Sequence, residues 1–547
     1  MAENRAFTDI EYLTNEFISM RAASRIAQGD PTLFDFSAKA LESASNSMGW
    51  TDLCANPPID PSSIAEFASS ISGEGLSDLF LIGVGGTMQA AVAMATFLES
   101  QGKMPLRFHA MDSTLPSDIV NELAGADFAH SAFIVSSKSG TTVDTMAIFE
   151  YVWRSVCSEL GRSAANRFIA ITDAGTRLEE SARERGISKV FNGEGDIGGR
   201  YSALSVVGLL PFALMGIDVV ELVDRCRSCE ALCGLDDPSN PAISLAAGLV
   251  SLLYNGRDIM HLAVNQGSLG FGLWAAQLVC ESLGKQGKGI LVSVEPGFRL
   301  LSEDDENGFS IIASSDPSLI GASPGVDIPH LHVPILTGID LAMQFIIWEY
   351  AISMIAIMLE VDPFNQPNVE AAKKAARAIW RDEISLGMRA ASTASLALPC
   401  ERDASQGEAL AALFSMVEPG DYCAIDAFLP RTSESIFGRL KTLRRMIFDG
   451  LGCPTCLEMG PRYLHSIGQY QKGGPNKGLF LIVSAEDSEA GAYGEVEKTL
   501  DNLTYAQAAG DFAALSERER RVVHVNLPRC DADALDDLLD LVAKCLP

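Results

Sequence analysis

Residues 77–100 read SDLFLIGVGGTMQAAVAMATFLES. A short apolar run, Leu79 to Ile82, stops at a glycine turn, and an amphipathic helical pattern starts directly after it. The same strand–turn–helix order returns in AFIVSSKSGTTVDTMAIFEYVW (132–153) and in RFIAITDAG (167–175). Unbroken apolar runs suit strands buried on both faces, and the helices between them supply the covers. The pattern therefore predicts an α/β protein with parallel sheets. Ligands of such sheets bind outside the carboxyl ends of the strands, where these turns lie.

The chain has 547 residues, too many for one core. Residues 1–60 read as a helical segment ending in the Pro-rich CANPPIDPSS (54–63). A first α/β unit is expected over 61–235. A second, over 236–385, starts near DDPSNPAIS, carries the strand candidates DIMHLAVN (258–265) and GILVSV (289–294), and closes with the helix NVEAAKKAARAIW (368–380). The small, polar run LGMRAASTASLALPCERDASQGEA (386–409) reads as a linker. In the remainder of 386–547, the strand candidates DYCAIDAF, GLFLIVSA and RVVHVNL accompany the basic helix IFGRLKTLRRMIF, which predicts a small separate α/β domain.

A net charge of −30 argues against nucleic acid as a partner, because a polyanion would be repelled. A few local cations and backbone amides can still hold a small phosphate. The opening MAENRAFTDIEYLTNEF is charged and has no apolar signal region, so a cytoplasmic location is expected. The most membrane-like stretch is LAMQFIIWEYAISMIAIMLEV (341–361). Glu349 in its middle favours a buried core helix over a membrane span. The 12 cysteines do not read as a disulfide framework. Of the two CxxC pairs, Cys226/Cys229 and Cys453/Cys456, the first falls with Cys233 at the helical spacing of a core face. The pairs are far apart, and no metal is expected.

Gly83, Gly85 and Gly86 suggest a dinucleotide fingerprint, but GxGxxG requires glycine where Met88 stands. No Walker-type GxxxxGKS or GxxxxGKT occurs either. What remains is backbone brought close to a ligand, with the Thr87 hydroxyl beside it. In SSKSGTT (136–142), Ser137, Ser139, Thr141 and Thr142 crowd hydroxyls at a helix start, where unpaired N–H groups and a partial positive charge are exposed. Lys138 adds a cation and Gly140 permits an unusual backbone. Capping needs one hydroxyl; four point to a phosphate cradle. In GDIGGRYSALS, two glycines set Arg200 before an apolar helix, which suits a developing oxyanion or an ordinary salt bridge. Glu281 lies at the end of an apolar helix, with Gln277 on a neighbouring turn. Such a carboxylate can shuttle a proton or simply be solvated at a helix end. DPFNQPNVEAAKKAAR places Gln366 in a Pro-bounded turn and Lys373 in the helix that follows.

Together, GVGGT, SSKSGTT, DIGGRYSALS, ESLGKQGKGI, DPFNQPNVE and, in the tail, GPRYLHSIGQYQKGGPN resemble the glucose-6-phosphate isomerase family. The likeness is greatest to the form fused behind transaldolase in some bacterial bifunctional proteins. DPTLF and MGWTDL, near the start, resemble the opening of that isomerase region. The resemblance implies two doubly wound sugar-isomerase subdomains plus the C-terminal α/β domain, and a metal-free, cofactor-free interconversion of glucose 6-phosphate and fructose 6-phosphate in glycolysis and gluconeogenesis.

Carried over by motif, Ser137, Ser139, Thr141 and Thr142 would hold the substrate phosphate, with Gly86 and Thr87 near the sugar; Lys138 would touch the phosphate or only keep the loop positive, and Gln277 is a further substrate-binding candidate. Arg200 would stabilise a cis-enediolate, and Glu281 would move the proton between C1 and C2. Lys373, with Gln366, would act at the ring oxygen. The sequence departs from the family at Thr87, usually serine, at Asn365, usually aspartate, and at Gln471, where the fused form has histidine. The family's ring-opening histidine has no match between Glu281 and Lys373, where His330 and His332 sit in a strand-like segment, so His465 is the candidate. The family's habit implies a homodimer, which the extra tail could make unnecessary. Isomerisation of mannose 6-phosphate or an amino-sugar phosphate, and sugar-phosphate binding without catalysis, remain the alternatives.

Overall fold

The structure, a computed structural model, describes residues 9–34, 38–296, 306–319, 328–368, 394–396, 405–487 and 495–547. The described residues form three sheets. The first runs β2-β1-β3-β4-β5, all parallel, from β1 (Asp78–Ile82), β2 (Arg107–Met111), β3 (Ser131–Ser136), β4 (Phe168–Asp173) and β5 (Val190–Gly193). The second runs β7-β6-β8-β9, again parallel, from β6 (Ile259–Val264), β7 (Leu291–Pro296), β8 (Gly308–Ser314) and β9 (His330–Pro334). The third runs β10-β14-β13-β11-β12, from β10 (Ala394–Leu396), β11 (Tyr422–Phe428), β12 (Thr455–Met459), β13 (Gly478–Ala485) and β14 (Arg521–Leu527). Only β10 is antiparallel there. In each sheet a central strand, β1, β6 or β11, is flanked by the next strand on one side and the one after on the other. This order creates a crevice at its carboxyl end.

The first sheet shows why its strands read as unbroken apolar runs. Leu79, Leu81, Ile134 and Ile169 face the main core, while Phe80, Phe133 and Phe168 face a second cluster under the helix Val143–Leu160. In register, Phe80, Phe133 and Phe168 form a ladder with centroids 4.8 and 4.9 Å apart, and His109 extends it by stacking on Phe80 at 4.2 Å. His109 lies between Asp78 and Glu122, 3.0 Å from each; burial opposes its protonation, but the two carboxylates outweigh that and raise its pKa.

The apolar stretch near 350 forms the helix Gly338–Leu359, the one described helix long and apolar enough to cross a membrane. It runs through the main core instead, with Phe345, Trp348, Tyr350, Ile352 and Met354 buried. Trp50 fastens the N-terminal segment to this core by stacking on Tyr201 and meeting Tyr350 edge-on.

The third unit docks on the first through buried polar contacts. Arg431 donates to the Ala110 carbonyl at 2.6 Å and pairs with Asp112 at 3.0 Å. Thr432 donates from its N–H and hydroxyl to Asp118, and Thr504 meets Thr114 at 2.7 Å.

Glu349 is buried in the apolar helix, and among the described residues its Oε1 has no hydrogen-bond partner. Burial, and secondarily Glu230, push its carboxyl well above the ordinary value of 4.5. The folded chain therefore holds a proton that the unfolded chain releases, and stability falls as pH rises above the unfolded value. Glu349→Gln removes that term. Thermal melts of the variant should exceed wild type at pH 8, and the gap should narrow toward pH 5, each unit of displacement being worth about 1.4 kcal/mol.

Candidate active site

Two glycine turns meet at the carboxyl end of the first sheet. A Cβ on Gly86 would lie 2.2 Å from the Gly199 carbonyl and 2.7 Å from the Arg200 nitrogen. The GVGGT and GGRYS motifs are therefore two halves of one backbone contact, and the contact fixes where Arg200 starts. Gly85 adopts a φ of 60°, and a Cβ there would approach the His465 carbonyl at 2.9 Å and the Gln277 amide at 3.0 Å.

Arg200 is 4% exposed, in the short turn Gly199–Tyr201. Its Nη1 donates to Glu281 Oε2 at 3.0 Å, and its Nη2 donates to the carbonyls of Pro363 at 2.7 Å and Phe364 at 3.0 Å. Among the described residues its buried Nε has no hydrogen-bond partner. Glu281 is 1% exposed near the end of the helix Leu269–Leu283, and Gln277, one turn earlier, also donates to Oε2, at 3.0 Å. Among the described residues Oε1 has no hydrogen bond. The buried Lys285 donates to the Asp362 carbonyl, so cations hold three successive carbonyls, 362 to 364. Burial, with the neighbouring Arg200 charge, pulls the Lys285 pKa well below its ordinary value.

In the SSKSGTT turn, Thr142 is the N-cap of the helix Val143–Leu160, yet its side chain makes no cap hydrogen bond to the first N–H groups of that helix. The hydroxyls pair with one another: Ser137 with Thr142 at 3.3 Å, and Ser139 with Thr141 at 3.0 Å. Gly140 has a φ of 60° and packs against Leu178 and Thr176. Lys138 differs from the expectation of a cation for the cradle. Its ammonium donates to Asp173 at 2.8 Å and to the Glu194 and Gly195 carbonyls, each at 2.9 Å. An ammonium has three donors, and all are taken.

His465 comes from the third unit, in the short turn Arg462–His465. Its Nε2 lies 3.4 Å from Asp144 Oδ2, while Asp144 Oδ1 accepts from Gln507. Burial works against the Asp144 carboxylate, but His465, helped by Gln507, outweighs it and holds its pKa below the ordinary value. Thr114 in turn donates to Gln507 Oε1 at 3.3 Å.

The structure thus brings Gly86, Arg200, Gln277, Glu281 and His465 together, with Thr87 and the SSKSGTT turn on the adjoining strand ends. Gln366 is half-buried on the segment clamped by Arg200 and Lys285. Lys373 lies outside the described residues, as does the helix expected around it. His330 and His332 sit on the edge strand β9. Gln471 and Lys472 are buried inside the third unit, Gln471 on Asp426 at 2.9 Å and Lys472 on Asp511 at 2.5 Å. Asp144 and Gln507 join the site without a motif of their own, and Lys285 joins it from ESLGKQGKGI, where the sequence singles out only Glu281. Asp144 follows the hydroxyl cluster closely enough to have been a candidate; Gln507 gives no local signal.

A doubly wound frame with a hydroxyl-rich helix start and a buried carboxylate–guanidinium pair is suited to holding a phosphate at one end of a small molecule and moving a proton at the other. The phosphoglucose isomerase family model matches residues 65–304. The glucose-6-phosphate isomerase of Acholeplasma laidlawii is 30% identical over 349 residues, 54% of this chain and 81% of that protein. The enzyme of the same name from Clostridium novyi is 27% identical over 385 residues, 60% of this chain and 85% of that protein. The chain belongs to the phosphoglucose isomerase family. A glucose-6-phosphate isomerase structure from Chlamydia trachomatis shares the fold, with a TM-score of 0.54 at 18% identity over 69% of this chain and 87% of that one.

Because a Cβ on Gly86 would strike backbone, not a movable side chain, Gly86→Ala should separate the two glycine turns. Turnover should fall about a hundredfold or more, since displacement of about 1 Å suffices for that loss. A coupled isomerase assay beside a thermal melt checks it.

Proposed function

We propose that the chain interconverts glucose 6-phosphate and fructose 6-phosphate through a cis-enediol. The observation that carries this reading is the buried Glu281–Arg200 pair, held against the glycine turn that adjoins the hydroxyl cradle. The phosphate takes the free N–H groups of the helix start and the hydroxyls of Ser137, Ser139, Thr141 and Thr142, and Gly86 and Thr87 flank the sugar. Anchoring the remote end orients the reacting carbons. Lys138 ties the turn to the ends of β4 and β5 instead of touching the phosphate.

Ring opening falls to His465. Asp144 holds the Nε2 proton, so Nδ1 is the basic nitrogen able to accept the anomeric hydroxyl proton, with Lys373 and Gln366 assigned to the ring oxygen. Glu281 then takes the C2 proton and delivers it to C1 of the enediolate. As it does so, negative charge leaves the carboxylate and appears on the enediolate oxygen. Arg200 adjoins that charge in both states, so little reorganisation is needed. The unpartnered Nε is a donor for the oxyanion.

The substrate is a small sugar phosphate, and the chain works in the cytoplasm. His465 of the same chain lies beside Asp144, so a second copy is not needed to supply it. A regulator that only binds sugar phosphate would have no use for a buried base paired with Arg200.

Glu281→Gln should lower turnover about a thousandfold in a coupled assay, within the range for general acid–base groups. Near wild-type turnover would refute the assignment of the base. His465→Ala should slow turnover about a hundredfold and leave KM within about threefold, because the phosphate site is untouched.

A further inference from the structure

We infer that Gln469 is a positioning residue for the isomerisation: it reaches out of the C-terminal unit and locks the end of the Glu281 helix to the loop that carries Gln366. The inference rests on the proposed role of Glu281 as the base.

Gln469 has no solvent exposure. Its Nε2 donates to the Gly284 carbonyl at 2.9 Å and to Asn368 Oδ1 at 2.8 Å. Its Oε1 accepts from the Asn368 backbone N–H at 3.1 Å. Both donors and the acceptor are therefore used, on two segments that are far apart in sequence. Gly284 closes the helix that carries Glu281, and Asn368 follows Gln366 after one proline. No other side chain in the described residues bridges these two points.

The surrounding backbone leaves no slack for a substitute contact. A Cβ on Gly284 would come within 2.6 Å of the Tyr470 Cα, and one on Gly473 within 2.5 Å of the Gly284 carbonyl. The Gly287 N–H donates to the Gly473 carbonyl at 2.9 Å. An aliphatic side chain at 469 would fill the volume but strand buried polar groups on both catalytic segments. A fully satisfied buried amide instead specifies one arrangement of the groups it joins. Gln469 lies one helical turn's length beyond His465, so a single insert from the third unit addresses both sides of the site. His465 meets Asp144 in the helix Val143–Leu160 of the first unit, and Gln469 meets the end of the Glu281 helix in the second.

The test uses the full chain, with kcat and KM for fructose 6-phosphate referred to folded protein by near-UV circular dichroism and thermal melts. Gln469→Leu should lower kcat about ten- to a hundredfold, the scale set by small displacements of reacting groups. KM should stay within about threefold, because the cradle stands on the first sheet. Asn368→Ala should lower kcat in the same direction, and the double variant should be no worse than Gln469→Leu, since the two share their bonds. Gln469→Glu keeps the shape and the acceptor, so it serves if the leucine variant does not fold. Its kcat relative to wild type should recover as the pH is lowered and the new carboxyl regains a donor proton. Wild-type kcat in the folded leucine and glutamate variants, or fully multiplicative effects of Gln469→Leu and Asn368→Ala, would overturn the inference. Glu281→Gln is measured in parallel: full activity there refutes the base itself, whereas an inactive Glu281→Gln beside an unimpaired Gln469→Leu refutes only the positioning role.

Discussion

Arg200 sits almost without solvent between a carboxylate and two backbone carbonyls. Burying a guanidinium costs several kcal/mol unless its donors are met in good geometry, and the neighbouring structure is arranged to meet those of Nη1 and Nη2. The Gly86–Gly199 contact sets where the side chain begins. Glu281 receives Nη1, with Gln277 steadying the same oxygen. The segment after Asp362 turns its carbonyls inward, and Lys285 holds the one that Arg200 does not reach. Removing any of these would leave a buried charge or a buried acceptor unpaired, which explains why three separate motifs of the sequence converge on one side chain.

The third unit is more than an appendage to this arrangement. Its sheet repeats the strand order of the other two, yet its own crevice side is turned toward the first unit. There Arg431 and Thr432, at the end of β11, hold Asp112 and Asp118. With that docking in place, residues 462–473 enter the site. The tight approach of Gly85 to His465, and of Gly284 to Tyr470, shows that the two surfaces are matched at the level of the backbone.

Much of the fold was legible because parallel strands covered on both faces leave a strong mark. The runs that became β1, β3, β4, β6, β7, β11, β13 and β14 are visible in the sequence for that reason. The short edge strands β2 (RFHAM), β5 (VFNG) and β12 (TCLEM) carry polar residues and were not. β8 (GFSIIAS) gave a weaker signal because Ser310 interrupts its short apolar run and Ser314 ends it. The hydroxyls of SSKSGTT and the Gln277–Glu281 spacing announced local chemistry, since both lie within one turn of helix. Lys138 read as part of the cradle because sequence proximity says nothing of direction; its partners, Asp173, Glu194 and Gly195, come from neighbouring strand ends.

The sequence by itself determined the class of fold and a hydroxyl-rich helix start, because these are matters of periodicity and of residues a few positions apart; Glu281 stood out as the candidate base only through the family resemblance. The tertiary structure decided what those residues face. Asp144 acquires a purpose only when His465 arrives from more than three hundred positions away, and Gln469 only when Gly284 and Asn368 are brought to its two ends. Hydrogen bonds are satisfied over about 3 Å, and chain distance carries no information about which donors and acceptors will be within that reach once three sheets have docked.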